Sequence, residues 1–143
     1  MTPQQQNCAR YVELFENLTP QRLDELAPLL TETVHFRDPF NDVRGIAAMR
    51  AVMADMFERT ESPRFRVLHW CVDERQGYIR WRFSARVPLL GDWDVEGLSR
   101  LLFAPDGRIT EHLDYWDSGP LYERVPLFGR LIRLIRRRLA AGG

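Results

Sequence analysis

The residues best suited to acid–base chemistry lie in the segment ITEHLDYWD at residues 109–117. This segment is predicted to be a strand, and in a strand His112, Asp114 and Trp116 project from one face. A histidine beside a carboxylate in a partly apolar cavity can shuttle protons near neutral pH. The pair could instead be an ion pair that only stabilises the polar floor of the cavity. We favour the chemical role, because a buried ion pair contributes weakly to stability.

A second candidate is Asp38, which precedes Pro39 and is flanked by Phe36 and Phe40. Desolvation by aromatic neighbours raises the pKa of a carboxyl group and makes it a better base near neutral pH. The alternative is that Asp38 only initiates a turn by accepting hydrogen bonds from its own backbone. The residues alone leave both interpretations open.

Tyr11 is the third candidate, because it lies near the middle of the apolar face of a helix predicted over residues 5–18. A tyrosine hydroxyl in that position should be buried and therefore needs a hydrogen-bond partner. It could donate to the oxygen of a substrate, or it could be a core tyrosine bonded to a neighbouring side chain.

The elements that position these residues follow from the hydrophobic pattern of the chain. Helices are predicted over residues 5–18, 20–30 and 46–59, with a short strand over residues 31–38. Four more strands are predicted over residues 64–73, 77–88, 93–104 and 108–117, and the segment PFNDVRG is predicted to be a loop. The turns between these four strands are short, so neighbours should run antiparallel. We therefore expect one α+β domain over residues 1–143: a cone-shaped, curved antiparallel sheet wrapped on three N-terminal helices, with an apolar interior open at one end.

Composition excludes several classes of chemistry. All twenty basic residues are arginine and balance twenty acidic residues, so the chain has no lysine for a Schiff base or a P-loop. Glycine is sparse and no GxGxxG motif follows a strand, and nothing in the overall charge favours nucleic acid. We expect no cofactor. The N-terminus lacks an apolar signal core, so we expect a cytoplasmic protein.

Metal binding and thiol chemistry are not predicted either. His35, His69 and His112 lie on different elements without ligand spacing, so we expect no metal site. Cys8 and Cys71 form no CxxC pair, and we expect Cys71 to be a buried structural thiol.

Three short segments occur in an order typical of a known family. They are RYVEL at residues 10–14, VHFRDPF at residues 34–40, and DGRI at residues 106–109 followed by Tyr115 and Trp116. Together they resemble the bacterial ketosteroid isomerases, which belong to the nuclear-transport-factor-2-like (cystatin-like) superfamily together with the SnoaL-like polyketide cyclases. The resemblance covers residues 8 to about 118 and implies that fold, which hosts many chemistries and some pure binding roles.

The resemblance also implies roles for single residues. Tyr11 corresponds to the oxyanion-hole tyrosine of the isomerases, Asp38 to their proton-shuttling carboxylate, and Trp116 to a tryptophan that lines the pocket. Ser99 stands where the isomerases have a neutral aspartic acid as second oxyanion donor. That difference implies a weaker oxyanion hole.

At the positions of His112 and Asp114 the isomerases have apolar residues. The pattern Glu-His-x-Asp is more similar to the SnoaL-like cyclases, in which an acid–base pair of this kind acts on a polyketide. This similarity implies that both side chains point into the same cavity as Trp116.

Together these observations predict a cofactor-free enzyme that transfers a proton next to a carbonyl group on an apolar, ring-bearing molecule. Asp38 would be the base and Tyr11 the electrophilic donor, with His112 and Asp114 as auxiliary acid–base groups. An aromatic lining should bind the substrate beside Ser99; its candidates are Phe15, Phe36, Phe40, Trp81, Phe83, Phe103 and Trp116. The alternatives are a non-catalytic carrier of an apolar ligand and a homodimeric interaction module with a vestigial cavity.

The C-terminal segment differs in charge from the rest of the chain. Residues 123–143 carry six arginines and one acid, a net charge of +5, whereas residues 1–122 carry a net charge of −5. An amphipathic helix is predicted over residues 126–139. We expect its leucine and isoleucine face to pack on protein, closing the mouth of the cone or a dimer seam. Contact with an anionic membrane surface is the alternative.

Overall fold

The computed structural model describes residues 1–141 and contains a six-stranded sheet with helices packed against one of its faces. The helical elements are α1 (Pro3–Glu16), a 3₁₀ segment (Pro20–Leu29), α2 (Ile46–Arg59), α3 (Gly119–Tyr122) and α4 (Phe128–Leu139). The strands are β1 (Leu30–Arg37), β2 (Asp42–Arg44), β3 (Glu61–Asp73), β4 (Gln76–Val87), β5 (Gly91–Phe103) and β6 (Ile109–Tyr115).

The sheet has the strand order β2-β1-β6-β5-β4-β3. Strands β3 to β6 form the predicted antiparallel meander. Strand β1 pairs with β6 in parallel, which joins the N-terminal and C-terminal ends of the sheet. The predicted α+β class is confirmed. The predicted loop over PFNDVRG is wrong in part, because β2 returns along β1 as a short antiparallel strand.

Local sequence explains where the first elements begin. Helix α1 begins at Pro3 because Thr2 and Gln5 form a reciprocal capping box, in which each side chain accepts a hydrogen bond from the other's backbone N–H. The second predicted helix is a 3₁₀ segment rather than an α-helix. Pro28 lies inside it and has no N–H to donate to a carbonyl one α-helical turn earlier.

A bulge in β3 sets which side chains of that strand face inward. The register of β3 on β4 shifts by one between Val67 and His69, so Leu68 is an extra residue. Beyond it the inward and outward faces exchange, and His69 and Cys71 are exposed. The prediction that Cys71 is buried was therefore wrong. It assumed that side chains alternate strictly between the two faces along the whole strand, and a bulge interrupts that alternation.

The outer face of the sheet is polar. Pairs of arginine and acid lie across neighbouring strands, and they include Arg80–Glu96, Arg82–Asp94 and Arg100–Glu111. The apolar side chains of the sheet instead face α1, α2 and the 3₁₀ segment. Within residues 1–141 no helix is long and apolar enough to cross a membrane.

Helix α4 is rotated relative to the prediction. Its arginine side, not its leucine and isoleucine side, faces the body of the protein. Arg136 pairs with Asp117 and Glu123, and Arg133 donates to the Glu123 carbonyl oxygen. These bonds hold the helix so that its apolar face is turned away from the cone and does not close the mouth.

Candidate functional site

A small inner cavity lies between the helices and the concave face of the sheet. Its volume is about 30 Å³, room for about two water molecules. The cavity is lined by Tyr11, Val12, Phe15, Met53, Phe65, Val67, Ile79, Trp81, Ser99, His112 and Asp114. In this conformation the enclosed space is too small for a ring-bearing molecule, since ligand pockets usually measure some 300–1,000 Å³.

The polar side of this cavity is one continuous chain of hydrogen bonds. The Tyr11 hydroxyl oxygen lies 2.6 Å from Nδ1 of His112. Nε2 of His112 lies 2.7 Å from Oδ1 of Asp114. The same Oδ1 accepts from the Ser99 hydroxyl at 2.5 Å, and Ser99 Oγ accepts from Nε1 of Trp81 at 2.9 Å. Five side chains from α1, β4, β5 and β6 are thus linked.

The direction of each bond follows from which groups can donate. The Trp81 N–H can only donate, so the Ser99 hydroxyl directs its own proton to Asp114. An ionised Asp114 can only accept, so the imidazole proton of His112 lies on Nε2. Nδ1 is then an acceptor, and the proton of the Tyr11 hydroxyl points to it. In this state Tyr11 is not free to donate to a substrate oxygen.

Burial keeps this network in that state. Burial raises the pKa of Tyr11 well above its ordinary value, and the charge of Asp114 raises it further. The Tyr11 hydroxyl therefore keeps its proton and remains a donor. His112 has only 4% of its side chain exposed and Asp114 has 14%. Of these two side chains, Asp114 is therefore the more accessible to solvent.

Strand pairing and one glycine bring these hydrogen-bonded side chains together. Ser99 on β5 lies directly opposite Asp114 on β6. Trp81 on β4 lies opposite Gly97 on β5, and its indole ring covers that glycine. A Cβ atom at position 97 would lie 2.2 Å from the ring, so only glycine lets the indole lie flat on the sheet and reach Ser99.

An open cleft lies next to the inner cavity. Its volume is about 520 Å³, and it is lined by Arg37, Asp38, Pro39, Asp114, Tyr115 and Trp116. Asp114 is the residue that borders both spaces. It therefore connects the buried chain of hydrogen bonds to a surface that a dissolved molecule can reach.

Asp38 is held by the turn that follows β1. Its Oδ1 accepts from the backbone N–H groups of Phe40 and Asn41 and from the Asn41 side chain. Burial raises the pKa of Asp38, hydrogen bonds from Phe40 and Asn41 oppose the rise, and the charge of Asp114 adds to it. Asp38 can therefore be both a turn residue and a base. The turn uses mainly Oδ1, and Oδ2 accepts one hydrogen bond, from the Asn41 side chain at 3.2 Å.

The expectation that Asp38, His112, Asp114 and Trp116 line one cavity was wrong. His112 and Asp114 line the inner cavity, whereas Asp38, Asp114 and Trp116 line the cleft. His112 and Asp114 do share a face of β6, as predicted, but of the two only Asp114 also borders the cleft.

The expected aromatic lining is also only partly assembled. Phe15, Trp81 and Ser99 line the inner cavity. Phe36 packs behind the His112 ring, with centroids 5.0 Å apart, and Phe103 packs on Gly77 in the core. Phe40 is 53% exposed and contacts the edge of Trp116 from outside.

Five residues that line the inner cavity were not predicted: Val12, Met53, Phe65, Val67 and Ile79. Phe65 had a signal in the sequence. Phe65 alternates with Arg64 and Arg66, so strand parity alone directs it inward. Its ring packs edge-on against those of Phe15 and Trp81. Met53, on the apolar face of α2, has no feature that distinguishes it from the other core residues of that helix.

No metal site is formed by the residues that the structure describes. Nowhere in residues 1–141 do three or more His, Cys, Asp or Glu side chains converge as ligands would. The polar side chains at the two cavities supply carboxylates, one imidazole, hydroxyls and the Arg37 guanidinium.

Comparison with known proteins identifies the fold independently. The family model described as the SnoaL-like domain matches residues 10–112. A protein provisionally described as a SnoaL-like polyketide cyclase, from Jannaschia sp. CCS1, superposes with a TM-score of 0.74 at 18% identity, over 89% of this chain and 96% of that one. A comparison with curated proteins found no match.

Two further solved structures have the same fold. A nuclear-transport-factor-2-like protein of unknown function from Burkholderia pseudomallei K96243 gives a TM-score of 0.75 at 12% identity, over 88% of this chain and 99% of that one. A protein with a ketosteroid isomerase-like fold from Catenulispora acidiphila DSM 44928, solved with trimethylamine, gives 0.70 at 12% identity, over 87% and 93%. At these identities the similarity concerns the fold.

Proposed function

The chain belongs to the SnoaL-like domain family, and on that premise we propose that it is a cofactor-free enzyme that moves a proton on a small carbonyl compound. The observation that carries the proposal is the position of Asp114. It borders the open cleft and is hydrogen-bonded to a buried imidazole at 2.7 Å. The substrate would lie in the cleft, with an apolar ring against Trp116.

Asp38 is the base in this proposal. Its Oδ1 is occupied by the turn, which fixes the carboxylate and leaves Oδ2 for the substrate. A raised pKa makes it a stronger base than an ordinary aspartate. Oδ2 removes a proton from the carbon next to the carbonyl group, and the C–H electron pair forms the double bond of an enolate.

Arg37 stabilises the enolate in place of the expected Tyr11. Tyr11 lies in the inner cavity and donates to His112, whereas Arg37 lines the cleft. The Arg37 guanidinium donates to the Tyr115 hydroxyl at 3.2 Å and forms no salt bridge within residues 1–141. Its positive charge is therefore available for the oxygen on which negative charge develops.

The Asp114–His112 pair completes the proton transfers. Return of the proton from Asp38 to a different carbon gives an isomer. Attack of the enolate carbon on a second carbonyl group gives a ring, and its new alkoxide takes up the proton that Asp38 removed. Asp114, hydrogen-bonded to His112, is the second carboxylate at the cleft and can relay that proton from Asp38 to the alkoxide. Tyr11 and Ser99 are positioning residues, since they act through His112 and Asp114.

The test is hydrogen–deuterium exchange at the carbon next to a carbonyl group, because isomerisation and cyclisation share that step. A panel of cyclic ketones, such as 2-tetralone, would be incubated with protein in D₂O and followed by proton NMR. We expect saturable exchange above the buffer rate. Asp38→Asn should reduce it by about 10²- to 10⁴-fold, the usual contribution of a general base. Asp73→Asn, which removes an exposed carboxylate, is the matched control.

A second candidate, a non-catalytic binding protein, is supported by the three hydrogen bonds that Oδ1 of Asp38 accepts within its turn. A purely structural Asp38 would have this arrangement too. In that case ligands would shift the Trp116 indole resonance, while exchange would stay at the buffer rate for wild type and Asp38→Asn alike. That result would contradict the enzymatic proposal.

A further inference from the structure

Helix α4 presents an apolar surface that nothing in residues 1–141 covers. Six large side chains in or next to it are 45–86% exposed. They are Leu127, Phe128, Leu131, Leu134, Ile135 and Leu139. Scattered apolar residues on a surface are ordinary, but a contiguous stripe along one helix indicates a binding surface.

The orientation of the stripe is fixed by contacts on the other side of the helix. Arg136 bridges Asp117 and Glu123 at 3.1 and 3.0 Å, and Arg133 donates to the Glu123 carbonyl oxygen at 2.8 Å. Gly129 is buried against the same carbonyl, where a Cβ atom would lie 2.0 Å away. The helix therefore cannot rotate its apolar stripe onto the body without breaking two ion pairs and this close contact.

Three arginines of α4 remain outside these contacts. Arg130, Arg137 and Arg138 are exposed and form no salt bridge with any residue from 1 to 141. At 100° per residue, Arg130 and Arg137 lie at the edge of the apolar stripe, and Arg138 lies within it. The outward surface of α4 is thus an apolar stripe with two arginines at its edge and Arg138 within it.

We propose that α4 binds the surface of an anionic membrane. An interfacial helix buries its apolar face at the boundary of headgroups and acyl chains, while arginines at its margin contact lipid phosphates. With 12 residues the helix is about 18 Å long, so it lies on a bilayer rather than across it. The charge of the protein is divided accordingly, with +5 in residues 123–143 and −5 in residues 1–122, which orients the acidic body away from the lipid.

Charge also argues against a second copy of the chain as the partner. Two α4 stripes packed face to face would bring the arginines at their margins together without acids between them. The outer face of the sheet carries pairs such as Arg80–Glu96 and Arg82–Asp94 among a few exposed apolar side chains, so it offers no continuous apolar surface to match the stripe. Anionic lipid satisfies both the stripe and the arginines.

The experiment is flotation of the full chain with two kinds of vesicle, phosphatidylcholine alone and phosphatidylcholine with about one third phosphatidylglycerol. We expect binding to the anionic vesicles only, decreasing with salt. The triple variant Arg130→Gln, Arg137→Gln, Arg138→Gln should bind at least about tenfold more weakly. A triple variant of Arg64, Arg66 and Arg75 to Gln, which removes the same charge from exposed positions elsewhere, should bind like wild type.

The apolar contribution is tested by Leu131→Ser with Ile135→Ser. Both side chains are about half exposed, so the melting temperature should not change while vesicle binding is lost. The proposal is overturned if wild type does not bind the anionic vesicles, or if both arginine variants lose binding equally. It is also overturned if the serine variant keeps vesicle binding and instead converts a dimer to a monomer, because the stripe would then face a second copy.

Discussion

The Nε2 atom of His112 lies 2.7 Å from Oδ1 of Asp114, two residues further along β6. This contact joins a buried imidazole to a carboxylate that reaches the cleft. It also sets the tautomer, because an ionised carboxylate accepts the Nε2 proton and leaves Nδ1 to accept from Tyr11.

The first prediction concerns the Tyr11 hydroxyl. Tyr11→Phe leaves the buried Nδ1 of His112 without its donor, so the free energy of unfolding should fall by about 1–3 kcal/mol in urea titrations. Tyr115→Phe is the control: that hydroxyl accepts from Arg37 on a side chain 47% exposed, and its loss should change stability by less than about 0.5 kcal/mol. Equal effects of the two substitutions would contradict the proposed bond.

Part of this site could be predicted from the sequence. Strand parity correctly placed His112 and Asp114 on one face of β6 and made them a candidate acid–base pair. The sequence could not predict which residue of β5 lies opposite Asp114. Phe103 pairs with Ile109 but Leu102 pairs with Glu111, so Thr110 is an extra residue in β6. Without that bulge the register of β5 on β6 would differ by one residue, and Leu113, not Asp114, would lie opposite Ser99.

Other features depended on tertiary contacts that have no sequence signal. The size of the inner cavity depends on how α1 packs, because Tyr11, Val12 and Phe15 line it from that helix. The amphipathic pattern of α4 predicted a helix correctly. Its rotation depends on Asp117 and Glu123, which form the ion pairs with Arg136 that turn the apolar face outward.

The second prediction concerns the contact between Trp81 and Gly97. In Gly97→Ala the new methyl group would lie 2.2 Å from the indole, so the ring must move and lose its bond to Ser99. We expect a loss of about 1–3 kcal/mol in stability and a changed near-ultraviolet circular dichroism spectrum. The double variant with Trp81→Phe and Gly97→Ala should lose less unfolding free energy than the two single variants lose together, because the smaller ring relieves the clash. Strict additivity would argue against the contact.

The third prediction is slow turnover of a 3-oxosteroid enone substrate. The Ser99 hydroxyl donates to Asp114 and the Tyr11 hydroxyl donates to His112, so neither is free for a substrate oxyanion. The absence of a single oxyanion donor typically costs about 10²- to 10³-fold in rate. Isomerisation followed by enone absorbance should therefore be at least that much slower than for a ketosteroid isomerase. A comparable rate would mean that the network rearranges when the substrate binds.

The last prediction is the pH dependence that follows from Asp38. Burial raises the pKa of Asp38 in the folded state above the ordinary value of 3.8. At a pH between the unfolded and the folded pKa, the folded protein holds the proton and the unfolded chain has lost it. The free energy of unfolding then decreases as pH rises through that window and stays lower above it. Asp38→Asn removes this dependence and keeps Oδ1 as the acceptor for the turn.

We therefore expect Asp38→Asn to be more stable than wild type at pH 7 and to approach it below about pH 3, where the carboxyl group is protonated in both states. Melting temperatures across this range are the measurement, with Asp73→Asn, at an exposed position, as the control for removing one negative charge. A gain in stability together with a loss of exchange activity would indicate a carboxylate maintained for chemistry at the expense of the fold. If Asp38→Asn is instead less stable than wild type at pH 7, the charge of Asp38 stabilises the turn, and its desolvation is not the dominant effect.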